Sequence, residues 1–409
     1  MDQIDTKRRV ALMFGAAALL GACGGDSATT TPPNFVPNPS PPPPGGGGTP
    51  TAVTFTSGLV NPWGMAFLPN DQGILVTERG GNMRLVSADG ATVSAPLAGL
   101  LPPYVSGQGG LLDVAIDPDF DFTTASWVYW TYAEGDANLS GTAVARGRLD
   151  VAGNALTDVQ VIFTQSPKVA GDGHYGSRLV FALDKTLFVT LGERQTDDPD
   201  FPTNQNAQNP AKHLGKVVRI NRDGSVPINN PFVGVAGYQP EIYSLGHRNP
   251  QGAARHPTTG ELWLNEHGPQ GGDEINRVLP GKNYGWPLVS YGCPYGSIPG
   301  PGCQVNGGIH FPNFEEPVSY WVPISIAPSG MMFYTGTRFT DLGWQGSVFI
   351  GALAGQALWR VALSGSTETG REALFTSLGE RIRDVRQGPD GWIYLLTDSA
   401  NGRIVRIQR

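Results

Sequence analysis

The sequence predicts an all-β fold, a six-bladed β-propeller in which both termini complete one blade. Three observations predict it. One phrase recurs along the chain: a small or glycine corner, an apolar strand start, a Pro/Asp/Gly turn, then an alternating apolar strand. The phrase returns every ~50–75 residues with almost no helical periodicity, which is the pattern of sheets stacked around an axis. Strand-like segments also stand at both ends of the repeats, in AVTFTSG (52–58) and RIVRIQ (403–408). Pairing them removes the last exposed sheet edges.

Taken in order, the repeats are WGMAFLPNDQGILVTER (63–79), GLLDVAIDPDF with WVYWTY (110–120, 127–132), and GSRLVFALDKTLFVTLGE (176–193). They continue as QGAARHPTTGELWLNEH (251–267), SGMMFYTG with GSVFIGAL (329–336, 346–353), and RDVRQGPDGWIYLLTD (383–398). A single blade leaves a sheet face uncovered, so the repeats stabilise one another only by stacking.

The N-terminus reads as a targeting segment rather than structure. Lys7, Arg8 and Arg9 precede an apolar run from Val10 to Leu20 that is too short to span a bilayer. It ends in Leu20-Gly21-Ala22-Cys23, which is similar to a bacterial lipobox, with Cys23 as the diacylated mature N-terminus. The expectation is an exported, periplasmic protein that meets the membrane only through a lipid anchor, with 1–22 as the signal peptide. Residues 23–50 are rich in Pro, Gly and Thr, cannot bury a core, and read as a tether. Residues 51–409 then form the catalytic domain. The net charge of −7, with no basic cluster beyond the signal, excludes nucleic acid as a partner. Of the 3 cysteines, Cys293 and Cys303 remain once Cys23 is set aside. In an oxidising compartment that pair closes a small disulfide loop.

Function concentrates in residues 241–287, EIYSLGHRNPQGAARHPTTGELWLNEHGPQGGDEINRVLPGKNYGWP. Histidines, arginines and acids crowd there among Gly/Pro corners, which is how loops at the mouth of a β scaffold are built. This stretch resembles the signature of the glucose/sorbosone dehydrogenase family, soluble aldose dehydrogenases that use pyrroloquinoline quinone (PQQ). The likeness extends to GQGGLLDVAIDPDF (107–120), GDGHYGSRLVF (171–181), KHLGKVVRINRDGSVPINNPF (212–232) and GERIRDVRQGPDG (379–391). It spans nearly everything after residue 51 and likewise implies six blades.

The resemblance implies roles for particular residues. His174 matches the general base; a neutral imidazole suits removal of the anomeric hydroxyl proton. Arg248 matches the arginine near the reactive quinone carbonyl, where a fixed guanidinium stabilises negative charge as hydride arrives. Asn249, Gln108 and Tyr295 match further contacts to the cofactor. Arg381 and Arg383 match its arginine pair, and their i, i+2 spacing on an extended chain points both to one side. Gly268 and Pro269 match positions whose carbonyls bind Ca²⁺ beneath PQQ; Glu274 and Tyr284 match a second, structural Ca²⁺ site. His267 stands where the family varies and receives no role.

One departure stands out. Many members carry Lys after the strand corresponding to VFIGAL, close to the cofactor, and Ala354 occupies that position here. A trianionic ligand thus lacks one cation, so either another group compensates, binding is weaker, or PQQ has been lost. The leading reading is an exported quinoprotein dehydrogenase of aldoses or similar compounds, passing electrons to a quinone or cytochrome because the chain has no CxxCH motif. The alternatives are a Ca²⁺-dependent lactonase-type hydrolase and a non-catalytic carbohydrate-binding propeller. Sugar choice is expected to depend on loop shape, above all on DDPDFPTNQNAQNP (197–210).

Overall fold

A computed structural model describes residues 47–200 and 205–409. The signal segment, Cys23 and most of the tether lie outside the described residues, as do 201–204 of the loop expected to select the sugar. The domain is a six-bladed β-propeller. Blade 1 has three strands, Pro62–Phe67, Ile74–Glu78 and Asn82–Val86. Blades 2 to 5 have four each, beginning at Leu111–Ile116, Leu179–Phe181, Pro250–Arg255 and Pro328–Phe333. Blade 6 contains Ile382–Gln387, Ile393–Thr397 and Gly402–Gln408, and its outermost strand is Thr51–Leu59. That strand runs antiparallel to Gly402–Gln408, with Thr51 opposite Gln408 and Leu59 opposite Gly402. Both ends of the repeat region therefore complete one blade and hold the ring closed, leaving only the outer strand of each blade as an edge.

The core explains why the inner strands read as nearly continuous apolar runs. Every blade buries both faces, one against each neighbour. Leu75 and Met83 of blade 1 pack on Val114 and Trp130 of blade 2, and Tyr129 and Val144 of blade 2 on Leu187 and Val189 of blade 3. Phe188 meets Leu262, Trp263 meets Met331, Phe349 meets Val385, and Leu396 meets Met65, which returns to blade 1. A point substitution in one wedge loosens two blades at once.

Near the axis the packing becomes polar. Arg178, 1% exposed, donates to Asp113 at 3.0 Å, to the Gln251 carbonyl at 2.7 Å and to the Arg383 carbonyl at 2.9 Å, and lies 3.2 Å from Asp384. Asp384 in turn accepts from the Met65 amide at 3.2 Å. One guanidinium with its acids thus ties five blades together beneath the mouth. Such a buried pair is costly to half-remove, because the orphaned charge stays in a low-dielectric core.

Candidate active site at the propeller mouth

All inner strands start at one end of the axis, and all second strands end there. This topology gathers the sequence-predicted residues. A cavity of about 250 Å³ at this end is lined by Trp63, Arg79, Gln108, Gln251, His267, Arg381, Arg383 and Asp398. His174, Arg248 and Arg383 all stand close enough to His267 to influence its titration electrostatically.

His174 sits in the turn before Leu179–Phe181 at a left-handed φ of 47°, a conformation uncommon for a residue with a side chain. The surroundings hold it there. Its amide donates to Gln108 Oε1 at 2.9 Å, and its carbonyl accepts from the Arg194 amide at 3.2 Å. A Cβ on Gly192 would stand 2.2 Å from that carbonyl, so only glycine permits the approach. The imidazole Nδ1 lies 2.6 Å from Glu193 Oε2, with His174 only 5% exposed. A carboxylate accepts, so Nδ1 carries the proton and Nε2 presents its lone pair, with no partner among the described residues. Burial lowers the imidazole pKa; Glu193 opposes this and Arg248 reinforces it, leaving the ring neutral near pH 7.

Arg248 is clamped by the carbonyls of Gly268 (2.7 Å) and His267 (3.2 Å), and its Nη2 lies 3.4 Å from the exposed Tyr295 hydroxyl. Its amide donates to Glu266 Oε2 at 2.6 Å. The Gly268 oxygen therefore already carries a guanidinium N–H, leaving one lone pair for a cation. Asn249 accepts from the Gly176 amide at 3.2 Å. Arg381 and Arg383 do turn to one side, and both meet Asp398, at 3.1 and 2.8 Å. Arg383 also donates to Gln251 Oε1 at 2.7 Å. Burial alone would raise the Asp398 pKa, but the two arginines outweigh it and hold the carboxyl below its usual range. Three buried donors around this mouth take no partner among the described residues: Arg248 Nε, Asn249 Nδ2 and Arg383 Nε.

His267 donates from Nε2 to the Pro328 carbonyl at 2.7 Å, and burial pushes its pKa down to about 3. It is thus a neutral wall of the cavity. Asp273 organises the neighbouring loops by accepting from the amides of Gly268, Ile326 and Ala327 at 3.0, 2.7 and 3.0 Å. Behind Arg248 lies a separate small cavity of about 10 Å³, room for a single ion or water, touching Glu266, Glu274, Tyr284 and His310. Glu274 has its pKa raised well above the usual carboxylate range by burial and then by Glu266. The Tyr284 hydroxyl is engaged elsewhere, donating to the Arg277 carbonyl at 2.6 Å, so only its main chain is available to an ion. Cys293 and Cys303 are joined as a disulfide with Cα atoms 5.1 Å apart. Ala354 is exposed beyond strand Val348–Ala352, while Arg79, unremarked in the sequence, supplies a cation from blade 1 to the cavity wall.

Comparison with known proteins places the chain. The family model for glucose/sorbosone dehydrogenase matches residues 59–406. The aldose sugar dehydrogenase YliI of Escherichia coli is 44% identical over 350 residues, covering 85% of this chain and 90% of its own. A crystal structure of a glucose dehydrogenase superposes with a TM-score of 0.81 at 46% identity, covering 88% of this chain and 99% of its own. The PQQ-bound aldose sugar dehydrogenase of Streptomyces coelicolor superposes at 0.68 with 28% identity, covering 90% and 99%.

Proposed function

The chain belongs to the glucose/sorbosone dehydrogenase family, and from that premise we propose an exported, PQQ-dependent dehydrogenase that oxidises aldose sugars at the anomeric carbon. The observation that carries the proposal is the cationic cavity wall of Arg79, Arg381 and Arg383, with Gln108, close to a neutral, buried His174. Guanidinium forks suit planar carboxylates. A flat ligand bearing three carboxylates matches that wall, whereas a metal-activated water would not need it. Arg79 is the compensating cation for Ala354, and Gln108, Tyr295 and the Arg381/Arg383 pair complete the cradle.

When bound, PQQ supplies a quinone carbonyl that accepts hydride from the sugar carbon. The protein's own groups do the rest. His174 Nε2 takes the proton of the anomeric hydroxyl, and Glu193 stabilises the resulting imidazolium through Nδ1–H. Arg248, immobilised on two carbonyls, holds positive charge where negative charge grows. Gly268 and Pro269 offer carbonyl oxygens to Ca²⁺ at the cofactor. Glu274, with main-chain oxygen from Tyr284, would hold a second Ca²⁺, which would relieve the buried carboxylate. Electrons leave to an external quinone or cytochrome, and Cys23 anchors the exported protein.

The test is optical. Protein mixed with PQQ and Ca²⁺ should show bound oxidised cofactor that bleaches to the reduced spectrum on adding an aldose. A bound spectrum that no aldose changes would overturn the dehydrogenase reading, and failure to bind PQQ would do so more directly.

A further inference from the structure

Aldose oxidation removes two electrons and two protons from C1–H and O1–H, leaving a lactone, and something must carry them away. The sequence carries no CxxCH haem motif to relay them internally. A distinct surface stands beside the mouth. From Cys293 to Phe314, and again from Pro317 to Pro328, the sequence has no Asp, Glu, Lys or Arg, in a chain of net charge −7. The two acids between these segments are engaged: Glu315 with Lys282 at 2.9 Å, Glu316 with the amides of His310 and Phe311 at 3.0 and 3.1 Å.

These segments enclose a hollow of about 280 Å³ whose wall is made by Tyr291, Cys293, Pro301, Val322 and Pro323. That size falls just short of the ~300–1,000 Å³ of ligand pockets and suits a single small ring. Ile324, which follows wall residue Pro323, is 76% exposed, and Ile298, which follows Ser297 whose carbonyl accepts from Gln270 at 3.0 Å, is 89% exposed, an apolar surface of the kind that marks recognition. Two short stretches of chain link the hollow to the candidate site. Gln270, on its wall, follows Pro269 directly, and Tyr295, two residues past Cys293, reaches Arg248 at 3.4 Å.

We propose that this hollow beside the Cys293–Cys303 loop is the docking site of a neutral quinone ring that accepts the electrons. The proposal rests on the dehydrogenase reading. The quinone gains the two electrons and two protons that the sugar loses and leaves as quinol, so the reaction balances as aldose plus quinone to lactone plus quinol. The chemistry of the surface selects this partner. A sugar needs a pocket rich in hydrogen-bond groups, and this one is mainly apolar. A redox protein steered to the mouth would use charge on the rim, and these segments carry none. A flat, uncharged ring fits a concave apolar wall of this volume.

Binding is measured first without PQQ, by calorimetry with 2,3-dimethoxy-5-methyl-1,4-benzoquinone. Val322→Asp, at a half-exposed wall position, should weaken binding at least tenfold. Leu183→Asp, 68% exposed in a turn at the opposite end of the blades, should not. In PQQ-loaded enzyme, Val322→Asp should raise KM for the quinone by a similar factor while turnover with ferricyanide stays unchanged. Absence of quinone binding to the wild type, or equal binding by Val322→Asp, overturns the proposal. So does a Val322→Asp defect seen only with a reduced-cytochrome readout, which would make the surface a protein interface. Loss of sugar oxidation with every acceptor, alongside intact quinone binding, would instead refute the dehydrogenase reading and leave the hollow as a quinone site.

Discussion

The pairing of His174 with Glu193 makes a prediction that a merely structural histidine would not. The two side chains meet at 2.6 Å in a site where Glu193 is 1% exposed, so the bond is charge-assisted and barely screened. Such a bond contributes about 1.5–3 kcal/mol. If it stabilises the imidazolium formed as the sugar proton transfers, Glu193→Ala should lower kcat about ten- to 150-fold, at 1.36 kcal/mol per decade. Glu193→Gln keeps an oxygen for Nδ1–H and for the Gln195 amide, which donates to Glu193 at 2.9 Å in the native site, and should lose less. The pH profile separates this from a folding defect. Activity requires neutral His174, and burial already holds its pKa below 6.5. The wild type should therefore lose its rate only as pH falls through a value below the ordinary imidazole range. Glu193 is the chief influence raising the pKa, so either variant should move the acid limb of kcat/KM to still lower pH as the plateau falls. Rates are measured with saturating PQQ and Ca²⁺, cofactor occupancy being checked by absorbance. A variant with wild-type plateau and an unmoved acid limb would refute the assignment of His174 as base and Glu193 as its positioning residue.

Three further outcomes follow from the same geometry. Arg383→Ala should weaken PQQ about ten- to hundredfold in a titration, by loss of a charge-assisted contact of about 1.5–3 kcal/mol; Arg381→Ala, at a more exposed side chain sharing Asp398, should cost less. If Arg79 replaces the cation missing at Ala354, Arg79→Ala should weaken PQQ about five- to thirtyfold, and Ala354→Lys in that background should recover most of it, about 1–2 kcal/mol. Ca²⁺ should raise the Tm of the wild type by binding only the folded state, and Glu274→Gln should abolish that part of the rise while stabilising the metal-free protein, because it removes a buried carboxyl crowded by Glu266.

The propeller was legible because blade packing leaves a strong sequence mark: two buried faces per blade force apolar strands between polar turns, six times over. The histidine and arginines of the mouth were legible because they stand in dense local motifs. Their acidic partners were harder to see, since each stands alone in sequence and meets its base only through a hairpin. Yet the hairpin itself encodes the pairing. His174 and Glu193 are 19 residues apart, and so are His247 and Glu266, which meet at 2.9 Å in the next blade. In both blades the base precedes the first strand and the acid closes the second. Asp398 closes the second strand of blade 6 and meets Arg383 at the head of the first, 15 residues earlier. Glu78 does the same in blade 1, accepting from the Val60 amide at 2.9 Å. The phrases VTE, TLGE, LNE and LLTD therefore end on an acid for one reason: the second strand delivers it to the mouth beside the residue that begins its own blade. What no local pattern could convey is contact between blades, such as Arg383 with Gln251, 132 residues apart, or His267 with Pro328, 61 apart. Those contacts depend on ring closure, which fixes how neighbouring mouths lean on one another, and there the cofactor cradle passes from motif to architecture.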